Sequence, residues 1–145
     1  MTKRVAEVMT DKPVAVPLDV TLAEAAKIMR DHAIGDVLVT SNGQLCGVLT
    51  DRDIVVRAVA ESRDPRRTSV GDVCSADIAT IDPDADADEA AALMRSRAVR
   101  RLPVVNSRAP VGIVSMSDLA MDGDGVLDGD WRSVLADISK APPNR

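Results

Sequence analysis

Aromatic residues are almost missing from this chain of 145 residues, which has one Trp and neither Tyr nor Phe. Its core must therefore be built from Val, Leu, Ile, Ala and Met, which pack well but provide no ring on which a nucleic-acid base could stack. The formal net charge of −5 points the same way, because binding a phosphate backbone requires clustered positive charge. The composition predicts a protein that does not bind nucleic acid.

Histidine and cysteine are scarce as well. His32 is the only histidine, and Cys46 and Cys74 have no second Cys or His close to them in the sequence. The pattern therefore predicts neither a metal site nor a Cys–His or Ser–His pair for nucleophilic catalysis. We expect both thiols to be reduced, and His32 to lie in the last turn of a helix, where a cation is favourable.

Long apolar runs are also lacking. No segment approaches the 18 or so apolar residues that a membrane helix needs, and Met1 is followed by the polar sequence Thr-Lys-Arg. We expect a cytoplasmic protein without a membrane anchor. An apolar content of 46% is enough for one compact domain or for two small domains that share a core.

What the sequence does contain is a short motif that occurs twice, as Gly47-Val-Leu-Thr-Asp-Arg-Asp53 and Gly112-Ile-Val-Ser-Met-Ser-Asp118. Each copy predicts a buried strand that runs through a hydroxyl residue into a helix whose third residue is Asp. Unpaired backbone N–H groups at such a junction suit anions and sugar hydroxyls. Thr50 with Asp53, and Ser115 with Asp118, also fit a simple capping box. A cap alone, however, does not require the glycine three residues upstream.

The repeat extends well beyond this motif. Val5 and Val70 are 70 − 5 = 65 residues apart, and at that offset residues 5–55 align with residues 70–120 without a gap. The identical pairs are Val5/Val70, Val8/Val73, Asp19/Asp84, Glu24/Glu89, Ala25/Ala90, Ala26/Ala91, Met29/Met94, Arg30/Arg95, Ala33/Ala98, Val39/Val104, Gly47/Gly112 and Asp53/Asp118. The order of predicted elements is the same in both copies.

Each copy predicts a short helical turn followed by strand, helix, strand, strand and helix. In the first copy these segments are Val5–Met9, Val14–Val16, a helix through His32 opened by a capping box at Thr21, Asp36–Thr40, Leu45–Thr50 and a helix from Asp51 to about Ala60. In the second copy they are Val70–Cys74, Ala79–Ile81, Ala87–Arg97, Leu102–Asn106, Pro110–Ser115 and a helix that begins near Ser117.

Two segments lie outside the repeats. Residues 61–69 form a charged linker, which is either a solvated loop or a partner-docking patch. Residues 122–130 are rich in Asp and Gly but lack the spacing and the closing Glu of a calcium-binding EF-hand loop, so we expect an acidic hinge. The remaining residues to 145 contain Trp131, Val134, Leu135 and Ile138, which form one face of a predicted C-terminal helix.

Two gapless β-α-β-β-α copies, each closing with Gly-h-h-Ser/Thr-x-x-Asp, resemble a tandem pair of CBS domains. The resemblance covers domain 1 at residues 5–60 and domain 2 at residues 70–121. It is strongest to short, stand-alone bacterial CBS proteins of the actinobacterial hypoxic response type. It implies an α/β (α+β) fold in which two repeats pack about a pseudo-two-fold axis. It also implies two clefts that hold adenosine compounds such as AMP, ADP, ATP, NAD or S-adenosylmethionine.

Residues in this sequence that match the family's ligand contacts divide into two sets. One cleft would comprise Val48, Thr50, Asp53, Ile78, Ala79, Arg100, Arg101 and Pro103. The other would comprise Ile113, Ser115, Asp118, Val14, Ala15, Asp36, Leu38 and Arg52. In the family the Asp binds ribose hydroxyls, which agrees with the ability of a carboxylate to accept two neighbouring hydroxyl donors. Arg100 and Arg101 either bind phosphate or are plain surface charges.

The first copy departs from this pattern, because Gly35 and Asp36 replace the two arginines and Leu38 replaces Pro103. We therefore expect the cleft that contains Arg100 and Arg101 to be the tighter one for phosphate-bearing ligands.

Three functions remain: a non-catalytic sensor of an adenine nucleotide or adenosyl ligand that signals to an unidentified partner in a stress response, a ligand-free dimeric scaffold, and a small phosphate-transferring enzyme. No general base supports the enzyme. The sequence favours the sensor, as a homodimer.

Overall fold

The computed structural model describes residues 3–121, which divide into two compact units. The first unit comprises residues 13–78. The second unit comprises residues 3–12 together with residues 79–121. Predictions about the acidic hinge and the Trp131–Ile138 face lie outside the described residues. Both units combine a small sheet with helices, so the predicted mixed α+β class is confirmed.

The first unit is built on a three-stranded sheet in the order β2 (Ala15–Pro17), β3 (Asp36–Ser41) and β4 (Gln44–Thr50). β2 runs parallel to β3, while β3 and β4 form an antiparallel hairpin. Asn42 and Gly43 make the tight turn of this hairpin, and both have positive φ, as a two-residue turn of this kind requires. The hairpin brings the ends of β3 and β4 together, with Asp36 opposite Thr50.

Helix α2 (Leu22–His32) covers one face of this sheet. It begins where Thr21 accepts a hydrogen bond from the Glu24 amide at 3.2 Å, and it ends at Ala33 in the left-handed conformation. Leu22, Ala25 and Met29 are spaced by three and four residues, so they fall on one side of the helix and are buried. They pack with Val16, Val37, Val39, Leu49, Ala58, Val70 and Val73 into the core of the first unit.

Helix α3 (Asp51–Ile54) follows β4 directly and continues as a π-helical stretch, Val55–Val59. The wider winding is visible in the bond from the Ala60 amide to the Val55 carbonyl, 2.9 Å. Ala58 is fully buried, whereas Val55 and Val59 expose 58% and 60% of their surface. The predicted helix thus exists, but its second half is π rather than α.

The second unit also has a three-stranded sheet and covering helices, but its third strand pairs antiparallel with the last strand of the hairpin, whereas β2 runs parallel to the first. Its sheet has the order β1 (Thr10–Asp11), β6 (Ala109–Ser115) and β5 (Arg101–Asn106), covered by α1 (Val5–Val8), α4 (Ala87–Arg97) and α5 (Met116–Met121). The core residues are Val5, Ile81, Ala87, Ala90, Ala91, Met94, Leu102, Val104, Val114, Met116 and Leu119.

Each unit contains the first helical turn of the other sequence repeat. Val5 is buried in the second unit, where its amide donates to the Ala85 carbonyl at 2.8 Å. Val70, its counterpart, is buried in the first unit and donates to the Val20 carbonyl at 2.8 Å. A sequence repeat and a folded unit are therefore offset from each other by one short segment.

Two local predictions need correction. Residues 79–81 do not form a strand but make a single parallel bridge between Ile81 and Val104. Thr10 and Asp11 form a strand that the pattern did not predict, because both side chains are exposed and show no apolar alternation.

The linker at residues 61–69 is folded into turns, and most of its residues, including its three arginines, are exposed. Thr68 is buried and donates from its hydroxyl to the Asp64 carbonyl at 2.8 Å. The Thr68 and Pro65 carbonyls accept from the first amides of α2. The segment therefore stabilises the start of that helix.

Candidate functional site

The junction between β4 and α3 in the first unit holds Thr50 and Asp53 in a reciprocal pair. The Thr50 hydroxyl accepts from the Asp53 amide at 3.0 Å, and Asp53 Oδ2 accepts from the Thr50 amide at 3.0 Å. The predicted capping box is therefore present. Because Thr50 Oγ1 accepts in this pair, its hydroxyl proton can still be donated to another group.

The backbone amides of this junction are occupied, which differs from the prediction that they would suit an anion. The Asp51 amide donates to the Gly35 carbonyl at 2.8 Å, and the Arg52 amide donates to Asp51 Oδ1 at 2.8 Å. The Asp53 amide is used by Thr50. The first three amides of the junction are thus not available to a ligand, and its other polar groups are the Thr50 hydroxyl and the Asp53 carboxylate.

Asp53 is the one buried charged residue among residues 3–120. Only 1% of its surface is exposed, and Oδ1 has no hydrogen-bond partner. The Arg57 Nε lies 3.8 Å from Oδ1, which is an ion pair but too long for a hydrogen bond. A buried carboxylate with one unsatisfied oxygen is costly, and in native proteins such a group usually has a role.

The sheet places most of the predicted first-unit residues side by side. Asp36 pairs with Thr50, Leu38 pairs with Val48, and Ala15 pairs with Leu38 on its other side. The Leu38 amide also donates to the Val14 carbonyl at 3.0 Å. Arg52 is exposed on α3, and Ile78 is half-buried at the end of the unit. Residues assigned to two different clefts are thus neighbours within one unit.

The second unit repeats the junction. The Ser115 amide donates to Asp118 Oδ2 at 2.8 Å, and the Asp118 amide donates to Ser115 Oγ at 3.1 Å. Ser115 pairs with Arg101 across the hairpin, and Ile113 pairs with Pro103. The Arg100 carbonyl accepts from the Met116 amide at 2.8 Å. Ala79 is half-buried at the start of this part of the unit. Asp118 differs from Asp53 in being half-exposed.

The repeated glycine of the motif has a structural cause. A Cβ at Gly47 would lie 2.8 Å from the Ser75 carbonyl oxygen, and a Cβ at Gly112 would lie 2.9 Å from the Thr10 carbonyl oxygen. In both units a short extended segment pairs with the last strand and leaves no space for a side chain. The sequence indicated a close approach to these glycines, and the approaching group is the chain itself.

The two cysteines are free thiols in the first unit, half-buried against its core. Burial, followed by the neighbouring Cys46 and Asp53, raises the pKa of the Cys74 thiol. A raised pKa keeps this thiol protonated at neutral pH and lowers its reactivity. His32, the last residue of α2, has Nδ1 2.9 Å from the Ile28 carbonyl oxygen.

The described part of the chain contains no group of three or more His, Cys, Asp or Glu side chains that could hold a metal ion. Within the same residues, no helix is both long and apolar enough to cross a membrane.

Comparison with known proteins agrees with the doubled junction. The CBS domain family model matches residues 5–59 and again residues 70–122. CBS domain-containing protein YhcV of Bacillus subtilis is 38% identical over 118 residues, which cover 81% of this chain and 84% of that protein. Hypoxic response protein 1 of Mycobacterium tuberculosis is 38% identical over 101 residues, covering 69% of this chain and 71% of that protein.

Solved structures agree with these matches. The crystal structure of Hypoxic Response Protein I with two coordinated zinc ions has a TM-score of 0.76 at 33% identity, covering 83% of this chain and 98% of that one. The CBS domain pair of protein MJ0100, in complex with 5′-methylthioadenosine and S-adenosyl-L-methionine, has a TM-score of 0.72 at 25% identity, covering 83% and 94% of the two chains. The predicted resemblance is confirmed, and this chain belongs to the CBS domain family with two CBS domains.

Proposed function

We propose that this protein is a non-catalytic cytoplasmic sensor that binds an adenine nucleotide or another adenosyl compound and signals its occupancy to a partner protein. The observation that carries the proposal is the buried carboxylate of Asp53. One of its oxygens is bonded within the junction, and the other lacks a hydrogen bond. A ribose diol supplies the hydroxyl donors that such an oxygen lacks.

Three further observations support this proposal. The Ser115–Asp118 pair reproduces the same hydrogen bonds in the second unit. The related CBS pair of MJ0100 is in complex with two adenosyl compounds. A relative is named as a hypoxic response protein, which fits a sensor in a stress response. The candidate ligands are AMP, ADP, ATP, NAD and S-adenosylmethionine, since all contain adenine and ribose.

A ligand-free dimeric scaffold is the second candidate, and it is favoured by the glycines. Chain packing alone explains Gly47 and Gly112, so these residues do not distinguish the sensor hypothesis from the scaffold hypothesis. The separation rests on Asp53, since a cap needs only one carboxylate oxygen and does not require a buried second oxygen without a partner.

Thermal unfolding in the presence of each candidate ligand tests the proposal. A ligand at 100 times its dissociation constant adds about 2.7 kcal/mol of stability, which raises the melting temperature by several degrees in a chain of this size. No shift with any of the five compounds would favour the scaffold. Steady product formation that Asp53→Ala abolishes would contradict the non-catalytic assignment.

Calorimetric titration of the binding compound then tests the two carboxylates separately. Asp53→Asn keeps an oxygen for the Thr50 amide but replaces an acceptor with a donor, so we expect a loss of about 1.5–3 kcal/mol, or at least tenfold in affinity. Asp118→Asn is the equivalent change in the second unit, and Asp51→Asn, on an exposed neighbour, is the control. We expect the larger loss for Asp53→Asn with phosphate-bearing ligands. Equal losses, or a larger loss for Asp118→Asn, would contradict this ranking.

A further inference from the structure

Arg57 stands out because it contacts the one carboxylate on which the proposed function depends. Its Nε lies 3.8 Å from Asp53 Oδ1, while its Nη1 donates to the Val73 carbonyl at 3.2 Å. Its side chain is 45% exposed, whereas that of Asp53 is 2% exposed. The guanidinium is thus anchored at one end by a backbone carbonyl and placed beside the oxygen that has no hydrogen bond.

The local winding of the chain accompanies this placement. Arg57 lies inside the π-helical stretch Val55–Val59, immediately after the short helix that carries Asp53. π-Helical turns are rare and occur frequently at functional sites. The acceptor that anchors Arg57 is the backbone carbonyl of Val73, a buried core residue of the first unit.

We propose that Arg57 is a positioning residue for ligand binding: it fixes the orientation of the Asp53 carboxylate, so that Oδ2 stays on the Thr50 amide and Oδ1 is left as the acceptor for a ribose hydroxyl. A cation this close to a buried carboxylate favours the orientation in which the two groups face each other. The separation of 3.8 Å provides this charge without consuming the acceptor. Oδ1 therefore keeps its acceptor capacity beside the guanidinium, and because this oxygen is itself buried, a ribose hydroxyl reaches it only when the groups that cover it move.

The second sequence repeat does not offer an equivalent cation. The position that corresponds to Arg57 is 57 + 65 = 122, which is an Asp in the sequence and lies outside the described residues. The first unit alone therefore combines a buried carboxylate with a cation four residues later. We therefore expect the preference for a ligand with a ribose diol to depend on Asp53 and Arg57.

This inference, which rests on the proposed function, is tested by measuring the affinities of two ligands for four proteins and comparing the ratio of the two affinities in each protein. The probes are adenosine and 2′,3′-dideoxyadenosine, which differ only in the diol. The proteins are the parent chain, Arg57→Ala, Arg57→Lys and Arg63→Ala. Arg63 is a matched control, because it is also a partly exposed arginine beside a carboxylate of the first unit, with Nη2 3.7 Å from Asp72 Oδ2.

We expect the parent chain and Arg63→Ala to prefer adenosine over the dideoxy compound by about tenfold or more. Arg57→Ala should reduce this preference to less than about threefold, and Arg57→Lys should restore part of it by returning the charge. If Arg57 only stabilises the fold, Arg57→Ala should lower the affinity for both compounds equally and leave the preference for adenosine unchanged. That result would overturn this inference but not the proposed function. Should the parent chain bind neither adenosine nor any of the five adenosyl compounds, the proposed function and the inference would both fall.

Discussion

At the scale of single residues, Gly47 and Gly112 can be explained either by ligand binding or by packing of the chain against itself. The two glycines are conspicuous in the sequence because they weaken a strand, and a ligand that approaches the backbone is one explanation. The structure supplies another, since the Ser75 and Thr10 carbonyls occupy the space of the missing side chains. Only the Asp of the motif then points to a ligand.

Gly47→Ala should destabilise the fold by about 1–3 kcal/mol, because a methyl group 2.8 Å from a backbone oxygen forces the paired segment to move. Urea unfolding followed by circular dichroism measures the change.

Gly35→Ala is the matched control for this substitution. There a methyl group would lie 3.1 Å from Asp51 Oδ2, the end of an exposed side chain that can rotate away, so we expect less than about 0.5 kcal/mol. A Gly47→Ala protein as stable as the parent would show that the segment around Ser75 does not constrain the strand.

At the scale of elements, the two units cap equivalent helices in different ways. Thr21 caps α2 through its side chain, whereas Asp86, the equivalent residue of the second repeat, makes no side-chain bond at the start of α4. Thr21→Ala should therefore cost about 1 kcal/mol of unfolding free energy, while Asp86→Ala should cost less, because it removes only a favourable charge at a helix start. Urea titrations of both variants decide this, and equal losses would mean that the Thr21 hydroxyl contributes no net stability.

Elements with strong sequence periodicity were predicted well. The apolar spacing of Leu22, Ala25, Ala26, Met29 and Ala33 predicted α2, and three of these residues form its buried face, whereas Ala26 and Ala33 are exposed. The Asn42-Gly43 signal predicted the β3–β4 hairpin. The doubled motif also predicted both capping pairs. These features depend on interactions between residues close in sequence, and local patterns record such interactions directly.

Features that depend on distant contacts were missed. Thr10 and Asp11 carry no strand pattern, and they are extended only because β6 offers free backbone groups beside them. The Arg57 side chain, which forms the ion pair with Asp53, is also bonded to the Val73 carbonyl, 16 residues away along the chain. Arg57 does have one sequence signal, its position four residues after Asp53 on a predicted helix.

At the scale of the whole molecule, the first unit exposes an apolar surface that would be more stable if it were covered by a partner. Val55, Val56 and Val59 expose 58%, 40% and 60% of their surface on consecutive turns of one helical segment. Among residues 3–120, Leu18 is the one other large apolar residue with comparable exposure, at 38%. Contiguous apolar surface of this kind is typical of an interface.

We predict that these three valines contribute to a symmetric homodimer, because a two-fold axis allows one self-complementary patch to cover another. Three side chains bury much less than the 800 Å² or so per partner of a standard interface, so further residues must take part and a single substitution should weaken rather than abolish association. Light scattering at micromolar concentration should give twice the chain mass. Val55→Asp with Val59→Asp should shift the mass toward one chain, whereas Leu18→Gln should not. A single-chain mass for the parent protein, or a dimer that tolerates both aspartates unchanged, would contradict this interface.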